Sequence, residues 1–399
     1  MKLTSVVATI GLCSATALNG AYAADLPVAP EPVAYVRVCD AHGNGFFYLP
    51  GTETCLRVSG RVRADYRFRD FGDAPNRWDS DTDMSTEFRA RGYVRLDART
   101  HTEFGLLRTY VGYYITNTTG GSDDPTLEYA YIQFGGLTAG RATSFWDFWT
   151  GYAMDMQLET YSDTESNLFA YTYGFGNDLS ASLSVEHGTE RRNNIAGVGT
   201  LVSTNLYGGH KWPDLVANLN IDQDWGSAQL MGALHHVYVN SSTAAVADSP
   251  LGWAIGGGVE VKLGQFFGGG KTKVALQGVY TDGASGYATT GWANRITDAV
   301  VVDGTDTRTT KTWSIYGGIH QPLSGTVSFN LDAGYHNADA GVSAFDFTQW
   351  DITPNVTWVP VSGLEIGAEI QYRDLDYSAV SGLADTNEFV GSFRIQRSF

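Results

Sequence analysis

Apolar and polar residues alternate with a period of two over long stretches of the chain. From Leu56 to Arg69 the even positions are Leu56, Val58, Gly60, Val62, Ala64, Tyr66 and Phe68, whereas the odd ones are Arg57, Ser59, Arg61, Arg63, Asp65, Arg67 and Arg69. Successive side chains of a strand point to opposite faces, so one face here is apolar and the other is almost all charge. The next stretch repeats it, with Phe88, Ala90, Gly92, Val94, Leu96 and Ala98 against Glu87, Arg89, Arg91, Arg95, Asp97 and Arg99. The same alternation returns at 179–186, 253–263, 327–336 and 364–373. A soluble antiparallel sheet with one wet face would also alternate. Two features favour a barrel that crosses a membrane. Most of the alternating runs span about 9–14 residues, which suits the 9–11 or so that a tilted strand needs to cross a bilayer. Connections also alternate between short and long, as outer-membrane barrels require.

Those constraints predict strands near 56–69, 86–99, 103–116, 126–134, 137–143, 168–175, 178–187, 214–222, 226–239, 252–263, 271–282, 311–320, 325–336, 348–358, 364–377 and 387–399. A further strand-like stretch runs from Ser203 to Trp212. Single-chain bacterial barrels have even strand numbers, so Gly188 to Pro213 is read as a long external loop, with room for a hairpin folded inside it. The predicted fold is all-β, a 16-stranded antiparallel transmembrane β-barrel.

Composition agrees with strands and turns: 17% of the residues are charged, and there are 47 Gly, 22 Tyr, 19 Phe and 10 Trp. A secreted β-sandwich would share that composition, so it does not choose by itself. The start of the chain reads as a cleaved signal peptide over residues 1–23, with Lys2, an apolar stretch from Val6 to Leu18, and Ala21-Tyr22-Ala23 as the cleavage site. Beyond it no run of about 18 apolar residues offers a membrane helix. Cys39 and Cys55 then remain as an even pair in an exported protein, which reads as a disulfide. Metal binding is the alternative, with no second ligand pair nearby to favour it. Residues 24–55 are thus expected to form a periplasmic segment ahead of a barrel over 56–399. A net charge of −17 and the lack of a basic, aromatic-laced patch argue against nucleic acid as a partner.

Three segments carry a family resemblance: YVRVCDAHGNGFFYLPGTETCLRVSGRVRADYRF (35–68), YIQFGGLTAGRATSFWDFW (131–149) and FRIQRSF (393–399). With them the chain resembles the outer-membrane porins of alphaproteobacteria such as rhizobia and brucellae. The resemblance implies a sixteen-stranded barrel, a homotrimer in the outer membrane, and passive diffusion of small hydrophilic solutes. It implies outer-membrane lipid and lipopolysaccharide as surroundings, and no cofactor. Phe393, Ile395 and Phe399 share one face of the last strand and resemble the C-terminal signal read by the barrel assembly machinery; Arg397 departs from that stripe.

A barrel of this size leaves an aqueous channel, so whatever narrows it and lines it with charge controls passage. The third external connection, Ser144 to Asn167, carries Asp147, Asp155, Glu159, Asp163 and Glu165, and positions 142–190 contain no Lys or Arg. Alternation sends Arg61, Arg63, Arg89, Arg91, Arg108 and Arg141 inward. Inward folding of the loop is implied by the resemblance, and Phe145, Trp146, Phe148, Trp149 and Tyr152 give it apolar surface to lay on a wall. Acids facing arginines across a narrow lumen would create a transverse field. The plainer alternative is a solvated loop, with the arginines paired to Asp65, Asp97 and Glu87. A substrate-specific channel for a sugar or an anion is the nearest rival, and a sugar channel calls for an aromatic slide. Inward aromatics such as Tyr93 look few. No catalytic set is legible: His235 and His236 point to opposite faces, and the glycines of 256–260 lack the following helix a phosphate loop needs.

Overall fold

The computed structural model describes residues 37–72, 86–154, 161–197, 205–240, 248–267, 270–289, 296–302 and 306–399. The expected leader, residues 1–23, lies outside them. Sixteen long strands form the wall: β1 (Cys55–Gly72), β2 (Thr86–Thr102), β3 (Gly105–Thr118), β4 (Asp124–Phe134), β5 (Leu137–Thr143), β6 (Glu165–Gly176), β7 (Leu179–Glu186), β8 (Asp214–Gln223), β9 (Gly226–His236), β10 (Leu251–Lys262), β11 (Lys273–Asp282), β12 (Lys311–Pro322), β13 (Val327–Asp339), β14 (Phe347–Val361), β15 (Leu364–Tyr377) and β16 (Thr386–Ser398). These are the strands the alternation predicts, and no end moves by more than three residues. Each strand pairs antiparallel with the next, and β16 returns to β1 through Ala64↔Ile395 and Tyr66↔Phe393. Closure satisfies every ladder without an edge, the condition for a sheet inside lipid.

Short connections gather at one end of the barrel. Several are two residues long; the β6–β7 turn is Asn177-Asp178, with φ of 52° and 59°, the doubly left-handed geometry that matches strand twist. One turn on this side contains a short helix, Gly264–Phe267. Long loops gather at the other end. On the outer face stand large apolar side chains such as Phe169, Leu230 and Ile255, each more than half exposed. Towards the long-loop end they merge into an aromatic belt, with Tyr280 opposite Trp313, Tyr335 opposite Trp350, and Tyr372 opposite Phe389. An apolar band edged by aromatics belongs in a bilayer and its interface.

Ahead of β1, Cys39 and Cys55 are joined by a disulfide, with Cα atoms 6.0 Å apart. Phe46 is buried beside it, under the guanidinium groups of Arg57 and Arg99 at 5.0 and 4.9 Å. Because Arg57 and Arg99 have inward parity, this segment lies against the lumen side of β1 and β2 at the short-turn end.

At the far end, the loops build a small sheet of their own. Asn194–Gly197 pairs in parallel with Thr297–Val302, which pairs antiparallel with Asp306–Thr309. Ile195, Leu206, Val237, Val239, Ala299 and Val301 form its core. Among the described residues, the strand-like stretch after Ser203 contributes one bridge, Tyr207 to Val239, and the Leu206 N–H donates to the Ile195 carbonyl at 2.9 Å, while Asn194–Gly197 takes its strand partner from a different loop.

Candidate functional site

The third long loop, Ser144 to Thr164, turns into the barrel and runs along its inner wall. Asn218 of β8 donates to the Phe145 carbonyl at 2.6 Å, and Gln229 of β9 donates to that of Trp146 at 3.0 Å. Trp146 is fully buried among Val216, Met231, Ala254 and Val279. Further on, the Trp149 N–H reaches Gln277 of β11 at 3.4 Å, and Tyr316 of β12 donates to the Trp149 carbonyl. The N–H groups of Tyr152 and Ala153 then donate to Asp332 of β13 at 2.6 and 2.7 Å. Met154 donates its N–H to Glu369 of β15, and its carbonyl accepts from Arg394 of β16. Ten residues therefore cross from β8 to β16.

Glycines in the wall make the close approach possible. A Cβ on Gly258 would lie 2.6 Å from the Phe148 ring, and one on Gly318 would lie 2.7 Å from that of Trp149. No real side chain fits there while the rings stay seated.

The root of the loop is clamped by charge. Asp147 binds Arg191 at 3.0 Å with both side chains almost wholly buried, and it also accepts from Ser162 and, at 2.8 Å, from the Thr164 N–H. Arg191 comes from the next long loop, one residue beyond the window that lacks basic residues. Its guanidinium also lies 4.7 Å from the Tyr287 ring. Asp163 stands nearby, its carboxyl pushed up to about 7 by burial, with Asp147 and Glu165 adding repulsion.

Facing the loop's far end is a wall of arginines. Asp65 bridges Arg89 at 2.5 Å and Arg394 at 2.6 Å, so the place where Met154 lands is the edge of this wall. Asp97 is shared by Arg57, Arg99 and Arg108 at 3.5, 2.8 and 2.9 Å, and Glu87 by Arg67 and Arg69. The expected pairing with Asp65, Asp97 and Glu87 therefore exists, and arginines remain beyond it. Arg63 donates to Gln396 at 3.0 Å and Arg91 to Thr116 at 2.8 Å, while Arg61 lies 4.1 Å from the Tyr93 ring. Among the described residues, no carboxylate lies within ion-pair distance of these three. A cleft of about 380 Å³ opens between Arg61, Arg63 and Arg394 on one side and Tyr152, Ala153 and Met154 on the other.

Several sequence expectations change here. Arg141 does not join the inward set: it stands opposite Ala130 and Asn167 on the outer parity, donates to the Leu127 carbonyl at 3.1 Å, and pairs with Glu190 at 3.4 Å. The inward positions of β5 are Thr138, Gly140 and Ala142, because Thr138 faces inward-pointing Gln133. Asp147 is spent on the root clamp, and Glu165 opens β6, where Tyr129 donates to it at 3.4 Å. Asp155 and Glu159 lie outside the described residues. Arg394 joins the inward set, where alternation along 389–395 puts it. Inward aromatics are also more numerous than expected. A bulge between Gly112 and Tyr113 leaves Glu128 extra, which brings Tyr129 and Tyr131 into line with Tyr93, Tyr110 and Tyr114.

A closed sixteen-strand barrel with an apolar belt, a charged lumen and a loop laid across it defines a diffusion channel of the bacterial outer membrane. The family model described as the Porin subfamily matches residues 25–392, and the chain belongs to that family. It is 31% identical over 403 residues to porin Omp2b of Brucella abortus, covering 96% of each. By structure it resembles the outer-membrane channel DcaP of Acinetobacter baumannii, with a TM-score of 0.69 at 16% identity over 88% of this chain and 99% of that one. It also resembles the trimer form of OmpT from Vibrio cholerae, with a TM-score of 0.53 at 9% identity over 87% of this chain and all of the other. The protein is a general diffusion channel of the outer membrane.

Proposed function

We propose that solutes are selected at an eyelet between the third loop and the arginine wall of β1, β2, β3 and β16. Arg61, Arg63 and Arg91 supply its basic side, with Arg89 and Arg108 held in ion pairs above and below them. The loop segment with Asp155 and Glu159 supplies its acidic side. The observation that carries this reading is the landing of Met154 on Arg394, which places the described part of the loop against the basic wall. Opposed charges in a narrow lumen orient polar, hydrated solutes and disfavour apolar ones, which gain nothing from the field and lose water. Asp147, Asp163 and Glu165 act at the loop's root, through its seating.

The channel works as a homotrimer surrounded by lipid and lipopolysaccharide, and its last strand, with Phe393, Ile395 and Phe399, is what the assembly machinery reads. The outer face of β3 to β6 supports a contact with neighbouring copies. Asn117, Arg141 and Asn167 have outward parity there, and such polar residues suit a subunit contact better than lipid. Residues 1–23 are removed on export, and the disulfide-linked segment stays in the periplasm.

Reversal potentials in asymmetric salt test the eyelet. Arg61→Ser with Arg91→Ser should shift selectivity towards cations and raise conductance, and Asp155→Asn with Glu159→Gln should shift it towards anions. Unchanged reversal potentials in correctly folded variants of both kinds would end the eyelet reading.

A further inference from the structure

Below the eyelet, on the short-turn side of the third loop, a second cleft of about 440 Å³ is cut into the wall of β1 to β5. Arg57, Arg95, Arg108, Tyr110, Tyr129 and Tyr131 line it, and Phe145 at the loop's root closes its top. From Phe145 to Met154 the loop runs the other way, towards β8 and beyond. The volume is in the range of small-molecule sites, roughly 300–1,000 Å³, and far above what a hydrated inorganic anion needs.

Charge in this region is unbalanced. Arg57, Arg95, Arg99 and Arg108 share two carboxylates, Asp97 and Glu128. Glu128 is 3.7 Å from Arg95 and is also taken by the Tyr93 hydroxyl at 2.8 Å. The guanidinium groups are held flat and in place by the rings. Arg95 lies 5.0 Å from the Tyr93 centroid, and Arg108 lies 5.0 and 5.6 Å from those of Tyr110 and Tyr131. Tyr110 and Tyr131 in turn stack at 5.3 Å with planes 19° apart, and Tyr129 meets Tyr110 edge-on at 5.8 Å. A planar guanidinium fixed in this manner presents paired N–H donors to a carboxylate.

We infer that this cleft is a weak, saturable binding site for small aromatic carboxylates on their way through the channel. The carboxylate takes the N–H groups of Arg95, with the positive charge of Arg108 beside it, and the ring lies among Tyr110, Tyr131, Phe145 and the guanidinium faces. A sugar phosphate would satisfy the arginines but would leave the ring faces of Tyr110, Tyr131 and Phe145 without an aromatic partner. Partial neutralisation by Asp97 and Glu128 keeps the site weak, as a channel requires if solute is to leave. This assignment rests on the channel reading and narrows it to one solute class.

The probe is benzoate, added to purified channel in planar bilayers with chloride as the main anion. Benzoate should produce saturable, concentration-dependent current blocks, at concentrations several-fold lower than acetate or glucose 6-phosphate. Arg95→Ser with Arg108→Ser should raise its half-saturating concentration at least about tenfold, the loss expected from one charge-assisted hydrogen bond pair. Tyr131→Leu should weaken benzoate about fivefold and leave acetate unchanged, since ring contacts contribute about 1 kcal/mol. Benzoate blocking no better than acetate, or glucose 6-phosphate blocking better than either, overturns the assignment. So does a benzoate block that both variants leave intact. Failure to conduct chloride at all would instead strike at the channel reading.

Discussion

Replacing Arg191 with Met should loosen the third loop without opening the barrel. The substitution leaves Asp147 buried, with 1% of its side chain exposed, and takes away the cation 3.0 Å from it. Removing one partner of a buried ion pair typically costs about 3–5 kcal/mol, because the remaining charge stays desolvated. Spent on the seating equilibrium of the loop alone, that is a shift of roughly 10²- to several-10³-fold towards the unseated state. The wall has no part in this, since the strand ladders make no use of Arg191. Trp146 still anchors the loop, fully buried and donating its indole N–H to the Tyr287 carbonyl at 3.0 Å. The expected phenotype is therefore open-channel noise and brief high-conductance excursions, not permanent widening. Two assays read it. Single-channel recording measures the noise, and chymotrypsin measures access to the aromatic loop; trypsin serves as a blank because positions 142–190 hold no Lys or Arg. Adding Asp147→Asn to Arg191→Met should restore part of the quiet behaviour, since no unpaired charge is left behind. Wild-type noise and wild-type chymotrypsin resistance in Arg191→Met would refute the clamp.

Other expectations concern the wall, the loop's root and the disulfide-linked segment. Gly318→Leu should unseat Trp149 and change conductance, whereas Gly325→Leu, in a turn with nothing within 4 Å of its added Cβ, should leave the current trace unaltered. Asp163, pushed up to about 7 by burial, binds its proton more tightly in the folded protein than in the unfolded chain. Its contribution therefore makes thermal stability fall as pH rises from about 4 to about 7, and cation preference should grow as pH passes 7; Asp163→Asn should flatten both trends. Replacing Cys39 and Cys55 with Ser opens a loop of 16-residue separation, a loss of about 3 kcal/mol by loop closure. The expected result is faster proteolysis of residues 37–54 with barrel migration on gels unchanged.

The strand framework was legible because a barrel wall has one physical demand repeated sixteen times: lipid outside, water inside, and side chains that change face at every residue. Leu56 to Arg69 state that demand on their own, and so does the even count that follows from alternating loop lengths. The exported pair Cys39 and Cys55 was legible for a similar reason, since two thiols in an oxidising compartment have one obvious fate. The arginines of β1 to β3 were placed by the same alternation.

What escaped the sequence depends on contacts between distant segments. One extra residue at the β3–β4 bulge shifts parity, which hid the inward tyrosines of β4. Alternation counted inward for Arg141 as well, whereas its register against β4 turns it out. The extended stretch 194–197 needed a partner from 297–302, about a hundred residues away, and no local pattern names such a partner. Above all, the course of the third loop was set by tertiary structure. The chain shows acids and aromatics at 144–165, yet which acid clamps the root and which residue reaches β16 is decided by Arg191, Asp332, Glu369 and Arg394. Period-two alternation is a local rule that one strand can obey alone, whereas the seat of a loop is a free-energy minimum among all the groups that could receive it.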